Sequence, residues 1–445
     1  MLNAAETELS RLARAAPDLG PVRMGRIVSC DGGLIEVSGL NAPIGTLCRI
    51  DKKRGEPAPA AEVVGFRGGR SLMMLLGDTV RLQPGALVRA EGQPGLVQVG
   101  EEFLGRAVDG QGQPIDGGPP VKARNNWLLG GNRESALERS SVIEPLDCGI
   151  RAINALSTMG VGQRLGVIAG SGVGKSVLLD TMVRGAECDI AIIGLIGERA
   201  REVSDFVGRH MRGDKRRRII VVAVPSDHAA NLRLRGAQLA TSLAEYFRSQ
   251  GKRVLLVLDS LTRVAHASRE IALSLGEAGA ARGYPPSALA TITKLIERAG
   301  NSATSGGAIT GLYSVLADGD DHSDPVVDTA RAILDGHIVL SREIAQRGHY
   351  PAIDISASLS RVMTDVTAPD HRRHAQALRG LIAAHETNRD FVLMGAYQAG
   401  TDPQLDRAMA LQQPIQAFLA QEAGETVSLA QSIGALAGLM DDATG

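Results

Sequence analysis

Apolar and polar positions alternate in short runs from Arg23 to about Gly95, as in Gly25-Arg-Ile-Val-Ser, Gly33-Leu-Ile-Glu-Val, Leu47-Cys-Arg-Ile and Ala86-Leu-Val-Arg-Ala. Gly, Pro and Asn-Ala turns break them, which predicts a small β-barrel. From about 145 to 370 the pattern becomes near-continuous apolar runs: Leu165 to Ile168, Ile190 to Ile196, Ile219 to Val224, Val254 to Leu258, Ile309 to Val315 and Ile338 to Leu340. Helical stretches such as Ser176 to Val183 and Leu232 to Gln250 lie between them. Alternating β and α units with buried strands predict an α/β fold around a doubly wound parallel sheet. After about Thr367 the strand signal fades, and Ala375 to Ala384 and Pro414 to Ala420 predict a helical C-terminal domain. Val108 to Pro120 is rich in Gly and Pro and reads as a linker with turns. Residues 1–20 read as a short helix ended by Pro17, Gly20 and Pro21; a frayed terminus and a helix docking on a partner both fit. The expected domains are 1–20, 21–95, 96–368 and 369–445.

Composition narrows the function. A chain of 445 residues needs more than one hydrophobic core. Aromatic residues make up only 3%, so the cores must be aliphatic, which suits buried parallel strands. The net charge of −1 provides no basic field for nucleic acid, and few rings are present to stack bases. The basic run Lys215 to Arg218 reads as a solvated turn before a strand. Cys30, Cys48, Cys148 and Cys188 follow no zinc or disulfide spacing, which predicts free thiols in a reducing cytosol. Met1 to Ala15 carries Glu6, Glu8, Arg11 and Arg14 with no apolar core segment, which argues against a signal peptide, and no apolar run reaches the ~18 residues of a membrane span.

Candidate chemistry begins where Leu165-Gly-Val-Ile meets Ala169, Gly170, Ser171, Gly172, Val173, Gly174, Lys175 and Ser176, followed by Val-Leu-Leu-Asp. A strand, a Gly-rich loop and a helix start in that order make a phosphate cradle of backbone N–H groups at a helix N-terminus. Lys175 is placed for the β/γ oxygens and the Ser176 hydroxyl for Mg²⁺. The strict motif begins with Gly, where this chain has Ala169. The run Lys252-Arg-Val-Leu-Leu-Val-Leu-Asp-Ser260 is a buried strand ending in a carboxylate, and Asp259 fits the second Mg²⁺ position of phosphate-loop enzymes. Hydrolysis also needs a group that polarises water. Glu198 follows the next strand, with Arg199 behind it for phosphate oxygens; a solvated charged turn and a catalytic glutamate both fit this spacing. The acidic stretch Asp318 to Asp324 lacks the glycine and closing glutamate of a calcium loop.

The strings GQRLGVIAGSGVGKSVLL, IGERAREV, VLLVLDSLTR, GYPPS and HYPAIDISASLSRVM resemble the rotary ATP synthase and type III secretion ATPase superfamily. The loop's Ser-Gly-Val filling is most similar to the flagellum-specific export branch. The resemblance spans roughly residues 21 to 440. It implies a RecA-like nucleotide domain between the barrel and the helical C-terminus, with ATP and Mg²⁺ as ligands. By the same resemblance Glu198 activates water, Arg199 contacts phosphate, Tyr350 stacks on adenine, and Arg361 is an arginine finger given to the neighbouring subunit's site. Read alone, Tyr350 is a half-buried core residue and Arg361 a surface arginine. A finger acting in trans implies a homohexameric ring. The implied partners are stator-type negative regulators at the N-terminal helix, export chaperones with flagellar substrates, and the membrane export gate, with no nucleic acid. The implied location is cytoplasmic, peripheral at the inner-membrane export apparatus.

Other readings stay open. Virulence type III secretion is the nearest. A rotary synthase subunit is disfavoured because one chain carries both Glu198 and Arg361. A hexameric RNA translocase needs stacking aromatics in its barrel, and residues 23–95 hold only Phe66.

Overall fold

The computed structural model describes residues 22–51, 58–77, 82–132, 135–211, 214–317 and 324–441. The N-terminal helix expected at residues 1–20 and most of the acidic stretch lie outside them. The chain divides into two compact units, Met1–Gly95 and Leu96–Gly445.

In the first unit β1 (Met24–Asp31), β2 (Leu34–Ser38), β3 (Leu47–Ile50), β4 (Ala60–Arg67), β5 (Arg70–Leu75) and β6 (Leu87–Glu91) form a closed barrel in the order β1-β2-β5-β4-β3-β6. Alternation does the sorting: Ile27, Val37, Ile50, Val63, Met73 and Val88 point inward and make the core. Gly25 lets β1 cross β2 closely, since a Cβ there would stand 2.6 Å from Val37 and 2.7 Å from the Ser38 carbonyl oxygen. Phe66 is 57% exposed on the outside of the barrel.

The second unit is built on a sheet whose main path runs through eight strands. These are β7 (Ala107–Val108), β8 (Arg164–Ala169), β9 (Ile190–Ile196), β10 (Ile219–Val224), β11 (Arg253–Asp259), β12 (Ala308–Leu316), β13 (Gly336–Leu340) and β14 (Ile353–Ser360). Their order is β14-β13-β8-β12-β11-β9-β10-β7, parallel throughout except for β14. The helices α1 (Arg151–Leu156), α2 (Lys175–Gly185), α3 (Ala200–His210), α4 (Ala230–Ser249) and α5 (Leu261–Ser274) precede or connect these strands. β9 and β10 are buried at every position, and β11 at all but its first. That is what strands covered on both faces require.

Two strands of this path lie where no strand was expected. β14 is an edge strand whose buried and exposed positions follow no regular period, so its polar residues hide it. β7 falls at the start of the expected linker, and two residues are too short for any period to register. The rest of that linker is docked rather than free. Ile115 N–H donates to the Ala107 carbonyl, and Gly110 approaches α4 so closely that a Cβ would meet the Leu232 carbonyl oxygen at 2.6 Å.

Beyond β14, α6 (Pro369–Thr387), α7 (Gln412–Leu419) and α8 (Leu429–Asp441) are helical as the alanine- and leucine-rich pattern predicts. Leu378, Leu381, Ile415, Phe418 and Leu436 share one core with Ile153, Leu156 and Leu165. The tail therefore packs through α1 onto the sheet as part of the second unit. Arg218, the last of the basic run, is used structurally, donating to the carbonyls of Cys188 and Val183. The four cysteines are free. No helix among the described residues is long and apolar enough to cross a membrane.

Candidate active site

The carboxyl ends of β8, β9 and β11 lie along one edge of the sheet, where ligand crevices of such sheets form. β8 ends at Ala169, the first position of the Gly-rich loop. Ala169 is still extended strand there, buried to 1% exposure, so an alanine methyl is accommodated where the strict motif has glycine. Gly172 and Gly174 then take φ of 78° and 90°, left-handed values that a side chain would strain. The turn they allow delivers Lys175 and Ser176 into the first turn of α2. Free N–H groups and the positive end of the helix dipole face outward there, and no acidic side chain sits in that turn.

Three sequence-predicted residues meet at this edge. Lys175 Nζ forms an ion pair with Asp259 Oδ1 and stands 3.5 Å from Glu198 Oε1. Asp259, the last residue of β11, also accepts a hydrogen bond of 2.5 Å from Ser314 Oγ on β12. Glu198 is held by its backbone, since its carbonyl accepts from Ser226 N–H and Gly197 N–H donates to Val224. The side chains of Lys175, Glu198 and Asp259 are only 10%, 13% and 8% exposed. One cation thus faces two buried carboxylates. Burial first, and the Asp259 charge second, push Glu198 up to about 7 against the pull of Lys175. Burial also works against the charge on Lys175, but Asp259 and Glu198 outweigh it and hold its pKa above the ordinary value.

The other candidates are placed differently. Ser176 is exposed at the mouth of the crevice, and Arg199 is exposed as the N-cap residue of α3. Tyr350 is 46% exposed, with its ring flanking the loop, since a Cβ on Gly174 would lie 3.5 Å from it. Arg361 does not join them. Its backbone N–H donates to the Asp335 carbonyl at the starting end of the sheet. By register, Ser360 opposes Gly336, while Leu340 pairs with Ala169. Arg361 is therefore about five strand residues, roughly 16 Å, from its own loop, beyond the reach of an arginine side chain.

One wall of the site had no local sequence signal. A cleft of about 790 Å³ beside the loop is lined by Val173, Val177, Tyr350, Ala420, Gln421 and Ala423 among others. Residues 420–423 arrive from the C-terminal segment after α7, where Gln421 N–H donates to the Tyr350 carbonyl. Only the tertiary fold brings them to the loop.

A family model described as the ATP synthase alpha/beta family, nucleotide-binding domain, matches residues 149–360. A second, the T3SS EscN ATPase C-terminal domain, matches residues 367–438. A flagellum-specific ATP synthase of Pseudomonas aeruginosa is 47% identical over 422 residues, covering 94% of each chain. The chain belongs to this family of flagellar and type III secretion ATPases. The type 3 secretion system ATPase of Xanthomonas euvesicatoria is 40% identical, covering 95% of each chain. Assembled EscN from enteropathogenic E. coli superposes with a TM-score of 0.87 at 37% identity, over 93% of this chain and 99% of that one. In complex with its central stalk EscO it gives 0.84 at 36% identity, with the same coverage. The chain is thus an ATPase with the α/β nucleotide-binding fold, N-terminal barrel and helical C-terminal region of its family.

Proposed function

We propose that the chain is the Mg-ATP-hydrolysing subunit of a flagellar protein-export apparatus, working as a homohexameric ring with active sites between subunits. The observation that carries the hydrolytic reading is the convergence of Lys175, Glu198 and Asp259 at the strand ends beside a phosphate cradle. The flagellar assignment is supported by the 47% identical relative, against 40% for the secretion relative.

In this mechanism the loop from Ala169 to Ser176 wraps the phosphates, and Lys175 leaves Asp259 for the β/γ oxygens. The Ser176 hydroxyl and the Asp259 carboxylate are hard oxygen donors and suit Mg²⁺. When bound, that ion neutralises charge on the β- and γ-phosphates. Glu198 accepts a proton from the attacking water as its oxygen bonds the γ-phosphorus and the bond to the ADP oxygen breaks. Arg199 holds phosphate oxygens, and Tyr350 stacks on the base.

A base must be ionised to act. With Glu198 near 7 in the free site, kcat/KM should rise with pH through about 7 and level off above it. A flat profile between about pH 6 and 8 would contradict the assignment.

The export reading adds protein partners: chaperones carrying flagellar subunits, the membrane export gate, and a stator-type regulator at residues 1–20. The solved complex of EscN with its stalk supports partner binding as a class. The location that follows is the cytoplasmic face of the inner membrane. In the source cell, replacing the chain by its Lys175→Ala variant should stop flagellin reaching the medium. Normal flagellin export, with loss of a different secreted set, would assign it to virulence secretion instead.

A further inference from the structure

Gln421 is 8% exposed, yet the residue lies where three chain segments meet. Its Oε1 accepts from Arg151 N–H at 2.8 Å, and its Nε2 donates to the Gly149 and Glu425 carbonyls, both at 2.8 Å. Its backbone N–H donates to the Tyr350 carbonyl at 3.0 Å. One residue thus ties the start of α1, the tyrosine strip and the 420–425 turn together around the cleft beside the loop.

Around it the tie is reinforced. Asn154 Nδ2 donates to the Val427 carbonyl, and Asp147 Oδ2 accepts from Leu429 N–H. Gly149 and Gly185 allow the close approach, since a Cβ on Gly149 would stand 3.0 Å from the Gly185 Cα. A buried amide with every group engaged fixes geometry, because a lost partner leaves the others unsatisfied. Its amide groups are taken up by these protein partners, leaving Tyr350, Val177, Ala420 and Ala423 to meet a ligand.

We infer that Gln421 is a positioning residue for the nucleotide base, holding the 420–423 wall at a fixed gap from Tyr350. The inference rests on the nucleotide-binding reading of this cleft. Gln421 is far along the chain from the phosphate loop and contributes nothing to holding phosphate or moving protons. Its loss therefore weakens binding of a nucleotide but not of its phosphates alone.

The test compares ADP with pyrophosphate by equilibrium titration of the full chain. Gln421→Ala should weaken ADP about tenfold, leave pyrophosphate within about twofold, and leave kcat at saturating ATP within about twofold of wild type. The effects of Gln421→Ala and Tyr350→Ala on ADP affinity should be less than additive, because both act on the same gap. Unchanged ADP affinity, equal loss of pyrophosphate, or strict additivity would each overturn the inference. If Gln421→Ala does not fold, Gln421→Glu keeps the acceptor for Arg151 and removes the donor, and the same outcomes apply. Failure of the wild-type chain to bind ADP at all would instead sink the nucleotide reading itself.

Discussion

Glu198→Gln should lower kcat by roughly a thousandfold, the usual worth of a positioned base, while leaving ATP affinity within a few-fold. The amide keeps the shape of the carboxylate but cannot take the proton of the attacking water. It also removes one of two buried negative charges facing Lys175 Nζ. Lys175 then keeps Asp259 as its ion-pair partner, so the phosphate cradle should stay formed. The split is what matters: Lys175→Ala should lose both binding and turnover, Glu198→Gln turnover alone. Steady-state hydrolysis with parallel ADP titration checks it. Turnover within about tenfold of wild type would remove Glu198 from the base position.

Arg361→Ala should cost on the order of a thousandfold in the ring's turnover, the scale of an arginine finger. In its own subunit Arg361 sits at the starting end of the sheet, with Nη2 donating to the Arg331 carbonyl at 3.3 Å. That contact is exposed and worth little to folding, so the variant should fold and bind nucleotide normally. A large loss of activity from a surface arginine remote from its own phosphate loop is the result that delivery across a subunit interface predicts. Heterologous contacts that close into a ring provide such an interface at every site.

What the sequence disclosed follows from the range of the forces involved. The expected runs Leu165 to Ile168, Ile190 to Ile196 and Ile219 to Val224 all lie within observed strands, because burial on both faces leaves an unbroken apolar signature. The Gly-rich loop was legible for a similar reason: Gly172 and Gly174 are demanded by local backbone angles. Asp259 and Glu198 could be found because Asp259 ends its strand and Glu198 follows its own within two residues. β14 and β7 were hidden, one by its polar edge positions and the other by its two-residue length. The 420–423 wall was hidden because nothing local distinguishes Ala-Gln-Glu-Ala from any turn, and its partner Tyr350 is 70 positions away. Whether Arg361 faces a neighbouring subunit is an assembly property, and in the sequence it rested on family resemblance alone.

The central claim is that one subunit's Arg361 completes the next subunit's site, and mixing two inactive variants tests it most directly. A Lys175→Ala subunit lacks a working phosphate loop but carries Arg361; an Arg361→Ala subunit has the loop and lacks the finger. In rings assembled at random from equal amounts, about a quarter of the interfaces pair an intact loop with an intact finger. ATP turnover of the mixture should then rise to about a quarter of wild type, far above either variant alone. A mixture no more active than the sum of its two components would contradict the account.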